Sequence, residues 1–258
     1  MLEKTDKKKD LPCNSTALEP YIQNAKLEKE LLDAIDSGDT AATQETIRTL
    51  KGIYKNDFKR FAVGNQNTDT VLTPFQYAVI FCHKNKKEML SMMMKETVRT
   101  NFHNEPALVW ADSTDIPLLV SLGENVNTPF ARKSLFKGKV YIEYITPLAA
   151  AAQDGDIFRV RHLLAAGAST KDVFAHKAVL KAVDERSSID NQIACLKALS
   201  EAGVNILWTK KGHSKPAIFE QEHLDPAVVK WLIELLLCPR IVRSKQPNIQ
   251  QTKEKTYE

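Results

Sequence analysis

The sequence predicts an all-α solenoid in which short helix–turn–helix repeats stack on one another. Residues 145–170 contain a helix start, a glycine turn, a second helix and a glycine stop within 26 residues. The same order of apolar positions returns several times along the chain. A helical hairpin this short cannot bury its apolar face alone, so it requires neighbours of the same kind. We therefore expect an array of stacked repeats.

Six repeats are expected, and the first two differ in polarity. Repeat 1 is the more polar, as a terminal cap should be. Repeat 2 opens with Thr73-Pro74, and its second helix carries Met89, Met92 and Met93 at the spacing of one apolar helix stripe. In order, the six repeats span residues 27–50, 73–93, 105–127, 145–170, 177–205 and 215–236.

The later repeats follow the same plan with irregular spacing. Repeat 3 opens at Glu105, repeat 5 at Lys177 and repeat 6 at Lys215. The distance from the proline or alanine that follows the opening residue to the first apolar anchor of the second helix is 13 residues in repeats 4 and 6, 10 in repeat 3 and 18 in repeat 5. The connections have therefore changed in length while the apolar periodicity is kept, which a binding solenoid tolerates.

Repeat 4 has the most complete set of helix signals. In Thr146-Pro147 the threonine can cap the first helix, and proline at the first helical position loses no bonded N–H. Asp156 is placed to cap the second helix. Gly167, like Gly203 in repeat 5, lies where a helix ends and the backbone needs a left-handed residue. The outer layer of this repeat is expected to be filled by Leu163 and Leu164.

These residues resemble the ankyrin repeat consensus. The chain departs from that family at Gln76, Val109 and Ala149, which stand where a histidine usually makes a turn hydrogen bond. The resemblance implies an ankyrin-type solenoid with short hairpin loops. The matching residues in repeat 4 are Thr146-Pro147-Leu148, Ala151-Ala152, Asp154-Gly155-Asp156, Leu163-Leu164 and Ala166-Gly167-Ala168.

The resemblance also implies a function. Ankyrin repeats are non-catalytic modules or scaffolds, so we expect a monomer without a cofactor that binds another protein through its loops and inner helices. A short basic chain with degenerate repeats is also similar to the ankyrin-repeat effectors of intracellular bacteria. That second resemblance implies a secreted protein that acts in the cytosol of a host cell.

An insertion between repeats 3 and 4 is the candidate partner-binding segment. Residues 128–144 interleave basic and aromatic residues at a place where ankyrin hairpin loops project. Such residue types anchor interfaces when they are exposed. The alternative is a solvated loop whose end, residues 140–144, forms a short hairpin that packs inward. The candidate contacts are Phe130, Arg132, Lys133, Phe136, Lys137, Lys139, Tyr141 and, in a loop after repeat 5, Trp208.

The other two tryptophans are expected in the core. Trp110 and Trp231 both fit apolar helical stripes, whereas Trp208 follows the end of repeat 5 beside Lys210 and Lys211. Trp208 is therefore open to either an interface or a packing role.

The charge of the chain is concentrated at its ends. The formal net charge is +4, of which residues 1–10 carry +1 and residues 239–258 carry +3, so the body is neutral. We expect disordered basic tails at residues 1–20 and 239–258 around a repeat domain at residues 21–238. A neutral body lacks the basic face that nucleic acid requires, so no nucleic-acid partner is expected.

Neither a membrane nor an oxidising compartment is indicated. No apolar run approaches the roughly 20 residues that span a bilayer, and the amino terminus has no signal-peptide pattern. The four cysteines are scattered without a paired spacing, which fits a reducing compartment. We expect a soluble cytoplasmic protein.

The competing hypothesis is an enzyme, a cysteine hydrolase or transferase on a helical scaffold. Cys82 next to His83, or Cys195, would supply the thiol. Adjacent residues on a helix point apart, and Cys195 falls on an apolar face, so structural cysteines are the favoured interpretation. The six histidines show no zinc-binding spacing, and no phosphate-binding glycine motif occurs.

Overall fold

The computed structural model describes residues 15–54, 63–64, 71–96, 105–136, 139–184 and 187–237. The chain divides into two compact units, Met1–Arg99 and Thr100–Glu258. The helices are α1 Ser15–Ser37, α2 Thr40–Tyr54, α3 Pro74–Phe81, α4 Lys86–Glu96, α5 Ile116–Ser121, α6 Pro147–Gln153, α7 Ile157–Ala165, α8 Val173–Lys181, α9 Ile189–Glu201 and α10 Pro226–Leu237. The strands are β1 Val63–Gly64, β2 Val71–Leu72, β3 Phe130–Phe136 and β4 Lys139–Ile145.

The first unit consists of two helix pairs, α1 with α2 and α3 with α4. Helix α1 packs on α3 and α2 packs on α4, so the two pairs form an inner and an outer layer. The turn between α1 and α2 needs Gly38, whose φ is +75° and whose added Cβ would lie 2.6 Å from the carbonyl oxygen of Lys84. Asn85 Nδ2 donates a 3.1 Å hydrogen bond to the carbonyl of Gly38 and so links the two turns.

Helix α3 begins with a complete capping box. The hydroxyl of Thr73 accepts from the backbone N–H of Gln76 at 3.2 Å, and the side chain of Gln76 accepts from the backbone N–H of Thr73 at 3.0 Å. The side chain of Gln76 therefore supplies a hydrogen bond at this helix start. Strands β1 and β2 pair in antiparallel register just before this helix.

The second unit has the same two layers over a longer stretch. In the inner layer α6 packs between the 3-10 turn Ala107–Val109 and α8, and α8 packs on the 3-10 turn Ala217–Glu220. In the outer layer α5, α7, α9 and α10 pack in that order. Each inner element is followed in sequence by its outer helix, which confirms the predicted all-α fold of stacked helix–turn–helix repeats.

The core of repeat 4 follows from its small residues. All seven residues of α6 are buried, and its run of alanines allows the neighbouring elements to approach closely. Val160 and Leu163 of α7 are fully buried against it, whereas Leu164 is only partly buried. The prediction that Leu163 and Leu164 are both buried in the outer layer therefore holds for Leu163 only.

Several helix boundaries confirm the predicted signals. Asp156 caps α7 by accepting from the N–H of Arg159 at 2.9 Å. Gly167 and Gly203 have φ values of +93° and +91°, as expected for residues that end helices. Thr146 does not cap α6 through its side chain, so the threonine cap predicted there is wrong.

Other boundaries differ from the prediction. The first helices of repeats 3 and 6 are single 3-10 turns, whose N-cap residues Pro106 and Pro216 make no side-chain cap bond that would offset the cost of helix nucleation. Helix α8 begins at Val173 and not near Lys177, because Asp172 caps it by accepting from the N–H of Ala175. Helix α1 begins at Ser15, so the last six residues of the predicted disordered tail are helical.

Repeats 3 and 4 are joined by an asparagine. The side chain of Asn127, at the end of repeat 3, donates to the carbonyl of Gly167 at 3.2 Å and accepts from the N–H of Ser169 at 2.8 Å. Both partners close repeat 4. The end of each of these two repeats is therefore fixed to the other through one side chain.

Candidate functional site

The insertion before repeat 4 forms a regular β-hairpin. Strands β3 and β4 pair antiparallel over seven residues each, from Phe130 opposite Ile145 at the base to Phe136 opposite Lys139 at the tip. Both base residues are fully buried. The hairpin is therefore rooted in the core, and Phe130 is unavailable as the exposed aromatic contact that was predicted.

Arg132 ties the first strand to the end of α6. Its Nη1 donates to Oε1 of Gln153 at 2.9 Å, and its Nη2 lies 3.7 Å from a carboxylate oxygen of Asp154. Gln153 is buried, and its Nε2 donates to the carboxylate of Asp184 at 2.8 Å. Arg132 is therefore linked to Asp184 through Gln153. Arg132 was predicted as a partner contact, and in this structure it positions the hairpin.

The second strand is fixed to helix α8. Lys181 Nζ lies 2.7 Å from Oε2 of Glu143, and Lys177 Nζ donates to the backbone carbonyl of Tyr144 at 2.6 Å. One helical turn separates the two lysines, and the two strand residues are adjacent. Strand and helix thus hold each other at two consecutive points, which fixes the orientation of the hairpin.

The anchored hairpin exposes apolar side chains. Ile142 and Tyr144 are 66% and 59% exposed, and Tyr141 is 48% exposed. Alternation along a strand puts Ile142 and Tyr144 on one face and the paired Glu143 on the other. Large apolar side chains that stay exposed on a fixed element are the type that anchors protein interfaces.

The remaining candidates on the hairpin are located by register alone. Lys133 stands opposite Ile142, and Phe136 stands opposite Lys139 at the tip. Lys137 lies outside the described residues. Contact of these residues and of Tyr141 with a partner stays a prediction.

Trp208 packs on helix α8 at His176. Its indole stacks on the imidazole of His176 with a centroid distance of 4.5 Å and an interplanar angle of 15°. Its carbonyl accepts from the N–H of Ala217 at 3.0 Å, which closes the loop before repeat 6. Burial lowers the pKa of His176. Trp208 is half-buried, so it combines packing with exposure.

The loop that carries Trp208 also contains a small charged cluster. The carboxylate of Glu220 lies 3.2 Å from Lys210 Nζ and 2.6 Å from His213 Nδ1. The hydrogen bond from His213 is the main cause of a lowered pKa of Glu220. The cluster fixes this loop to the 3-10 turn of repeat 6.

Trp110 and Trp231 depart from the predicted core positions. Both are only partly buried, and Trp110 follows the 3-10 turn of repeat 3 instead of lying on a helix. The indole nitrogen of Trp110 is nevertheless buried without a hydrogen-bond partner among the described residues.

The two described thiols have the properties of core residues. Cys82 and Cys195 are both fully buried. Burial raises the pKa of Cys82 and raises that of Cys195 to about 11. A nucleophilic cysteine requires a lowered pKa and access to substrate, and His83 is exposed beside the buried Cys82. Neither thiol has the environment that the hydrolase hypothesis needs.

Two further types of site were sought in the described part of the chain. It contains no group of three or more His, Cys, Asp or Glu side chains that could hold a metal ion. Among its helices, none combines the length and apolar character needed to cross a bilayer.

Comparison with solved structures finds 25 similar chains. No model of a protein family matches the chain, and no curated protein matches it. The crystal structure of the ankyrin repeat domain of Bcl-3, described as a unique member of the IkappaB protein family, is 14% identical, with a TM-score of 0.42. The match covers 80% of this chain and 97% of that one. The assignment of a helix–turn–helix solenoid depends on the two helix layers of the chain itself.

Sequence reasoning missed the residues that hold the hairpin in place. Gln153 and Asp184 connect to Arg132, and Lys177 and Lys181 connect to β4. These partners are separated by 21 to 38 residues in sequence, so no local pattern links them. Only the stacking of α6 on α8 brings them together.

Proposed function

We propose that this protein is a non-catalytic module that captures a partner protein through the β3–β4 hairpin and the adjacent inner helix α8. The observation that carries the proposal is the exposure of Ile142 and Tyr144 on a hairpin that Arg132, Lys177 and Lys181 connect to α6 and α8. A preorganised apolar surface loses little entropy on binding, so it favours affinity.

The finer proposal is that the protein is a secreted bacterial effector that works as a monomer in the cytosol of a host cell. It is supported by the resemblance of repeat 4 to ankyrin repeats, by the degenerate neighbouring repeats and by cysteines without a paired spacing. On this proposal the partner is a host cytosolic protein.

One capture experiment tests both the protein-binding proposal and the effector proposal. The full chain is immobilised, incubated separately with animal-cell cytosol and with bacterial lysate, and the retained proteins are identified by mass spectrometry. The double variant Ile142→Ala/Tyr144→Ala should weaken capture of the retained protein by roughly tenfold or more, because hot-spot side chains contribute at this level. We expect the retained protein to come from the animal cytosol.

The matched control is Phe158→Ala. Phe158 is 65% exposed on the outer helix α7. Its replacement by alanine therefore removes a similar exposed aromatic side chain that lies outside the hairpin. Capture should survive in this variant, and thermal melting should show that all variants remain folded. Equal capture by the double variant and the parent chain would exclude the hairpin as the binding surface. A partner retained from the bacterial lysate alone would exclude the effector.

A further inference from the structure

One surface of helix α8 lies between two sets of side-chain contacts with other parts of the second unit. Lys177 and Lys181 contact strand β4 on one side, and His176 stacks on Trp208 on the other. The buried residues Ala175, Ala178 and Val179 occupy the opposite face of the helix. With 3.6 residues per turn, Val173 and Leu180 fall on nearly the same line, between the directions of His176 and Lys177. We name these four residues, Val173, His176, Lys177 and Leu180, the α8 strip.

The strip combines apolar surface with one uncompensated positive charge. Val173 is 59% exposed and Leu180 is partly exposed. The ammonium of Lys177 donates to the carbonyl of Tyr144 and lies 5.5 Å from the ring centroid of Phe174. Within the described residues no carboxylate is paired with it, whereas Lys181, one turn away, is paired with Glu143.

The position of Lys177 is fixed before any partner arrives. A carbonyl oxygen and an aromatic face are both attractive to a cation, but neither carries a full negative charge. An ammonium held in this way has lost part of its conformational freedom and still has donor capacity for a carboxylate.

The length of the strip limits what fits it. From Val173 to Leu180 is seven helical residues, or about 10 Å at 1.5 Å per residue. An extended chain covers about 3.3 Å per residue, so roughly three residues of a partner lie along it. We propose, on the basis of the protein-binding function proposed above, that the α8 strip binds a short extended segment of the partner in which an aspartate or glutamate lies within two residues of an apolar side chain.

The carboxylate of the segment pairs with Lys177, and its apolar side chain covers Val173 and Leu180. Tyr144 and Trp208 flank the segment on the two sides. The charge pair supplies specificity, and the covered aliphatic surface supplies affinity.

Random peptides displayed on phage are the probe. They are selected separately on the parent chain, on Lys177→Glu and on Lys197→Glu, which makes the same charge change at an exposed position of the outer helix α9. The parent and Lys197→Glu should enrich peptides in which an acidic residue lies near an apolar one. Affinity for a selected peptide should fall roughly tenfold or more in Lys177→Glu.

A milder variant separates charge from folding. Lys177→Met removes the charge and the bond to Tyr144 but keeps an unbranched apolar side chain beside Phe174, and thermal melting establishes that it is folded. Peptide affinity should fall as salt rises for the parent chain and should depend little on salt for Lys177→Met. Salt dependence that survives the methionine variant contradicts the assigned charge pair.

The outcomes distinguish this inference from the general binding function. Selected peptides without acidic residues, or peptides that bind Lys177→Glu as well as the parent, overturn the α8 strip. So does a parent chain that selects no peptide but still retains a partner protein from lysate. In each of these cases the capture experiment with the Ile142→Ala/Tyr144→Ala variant still tests, independently, whether the hairpin binds a partner protein.

Discussion

Helices α6 and α8 occupy neighbouring places in the same inner layer and have different surfaces. Every residue of α6 is buried, whereas three of the nine residues of α8 are buried and the rest are at least partly exposed. Helix α6 belongs to the repeat that is most similar to the ankyrin consensus, and α8 belongs to a repeat whose connection has lengthened. The difference in burial leaves α8, and not α6, with side-chain surface that a partner could contact, which is why the proposed binding surface lies on α8.

The largest expected effect is on the core beneath α6. Leu163→Ala should lower the free energy of unfolding by about 2 to 5 kcal/mol, because the side chain is fully buried in a closely packed site. Leu164→Ala should cost clearly less, since that side chain is only partly buried. Urea denaturation of both variants gives the two values. Equal losses of unfolding free energy in the two variants would contradict the difference in burial between Leu163 and Leu164.

An intermediate effect is expected where the hairpin joins α6. Arg132→Glu leaves the buried Gln153 without its donor and places a carboxylate near Asp154, so stability should fall by about 1 to 3 kcal/mol.

Lys133→Glu is the matched variant on the same strand, and its melting temperature should stay close to that of the parent chain. Differential scanning calorimetry compares the two. A loss for Lys133→Glu as large as for Arg132→Glu would show that the anchoring depends on the charge of the strand and not on the contact with Gln153.

The smallest effect is expected on α8 itself. Val173→Ala changes an exposed side chain at the first turn of the helix, so stability should stay within about 0.5 kcal/mol of the parent value. The measurement is the same urea denaturation. A loss of stability several times larger would indicate that Val173 is buried in the core, and that α8, like α6, serves mainly in packing.

The sequence alone predicted the helix–turn–helix repeats but not the contacts that form the candidate site. Periodic apolar residues and local cap signals identified helix pairs, since Asp156, Gly167 and Gly203 act on neighbours within a few residues. The start of α8 was misplaced because the cap at Asp172 lies before the pattern that was matched. Phe130 was predicted as a contact because residue type alone does not tell which face of a strand, or which end of a hairpin, enters the core.

The hairpin anchors could not be predicted for a different reason. Arg132 with Gln153 and Lys181 with Glu143 depend on how one repeat is rotated against the next. That rotation is a sum of packing preferences over both layers, and no short stretch of sequence contains it. The exposed Ile142 and Tyr144 become informative only after these anchors are known.

The asparagine joint between repeats 3 and 4 gives the array a mechanical property. Because Asn127 holds the closing residues Gly167 and Ser169 by two hydrogen bonds, pulling on the chain loads that joint together with the helices on either side of it. Stacked repeats touch only their neighbours, so tension releases them one at a time. The two bonds of Asn127 must therefore break before repeats 3 and 4 can separate.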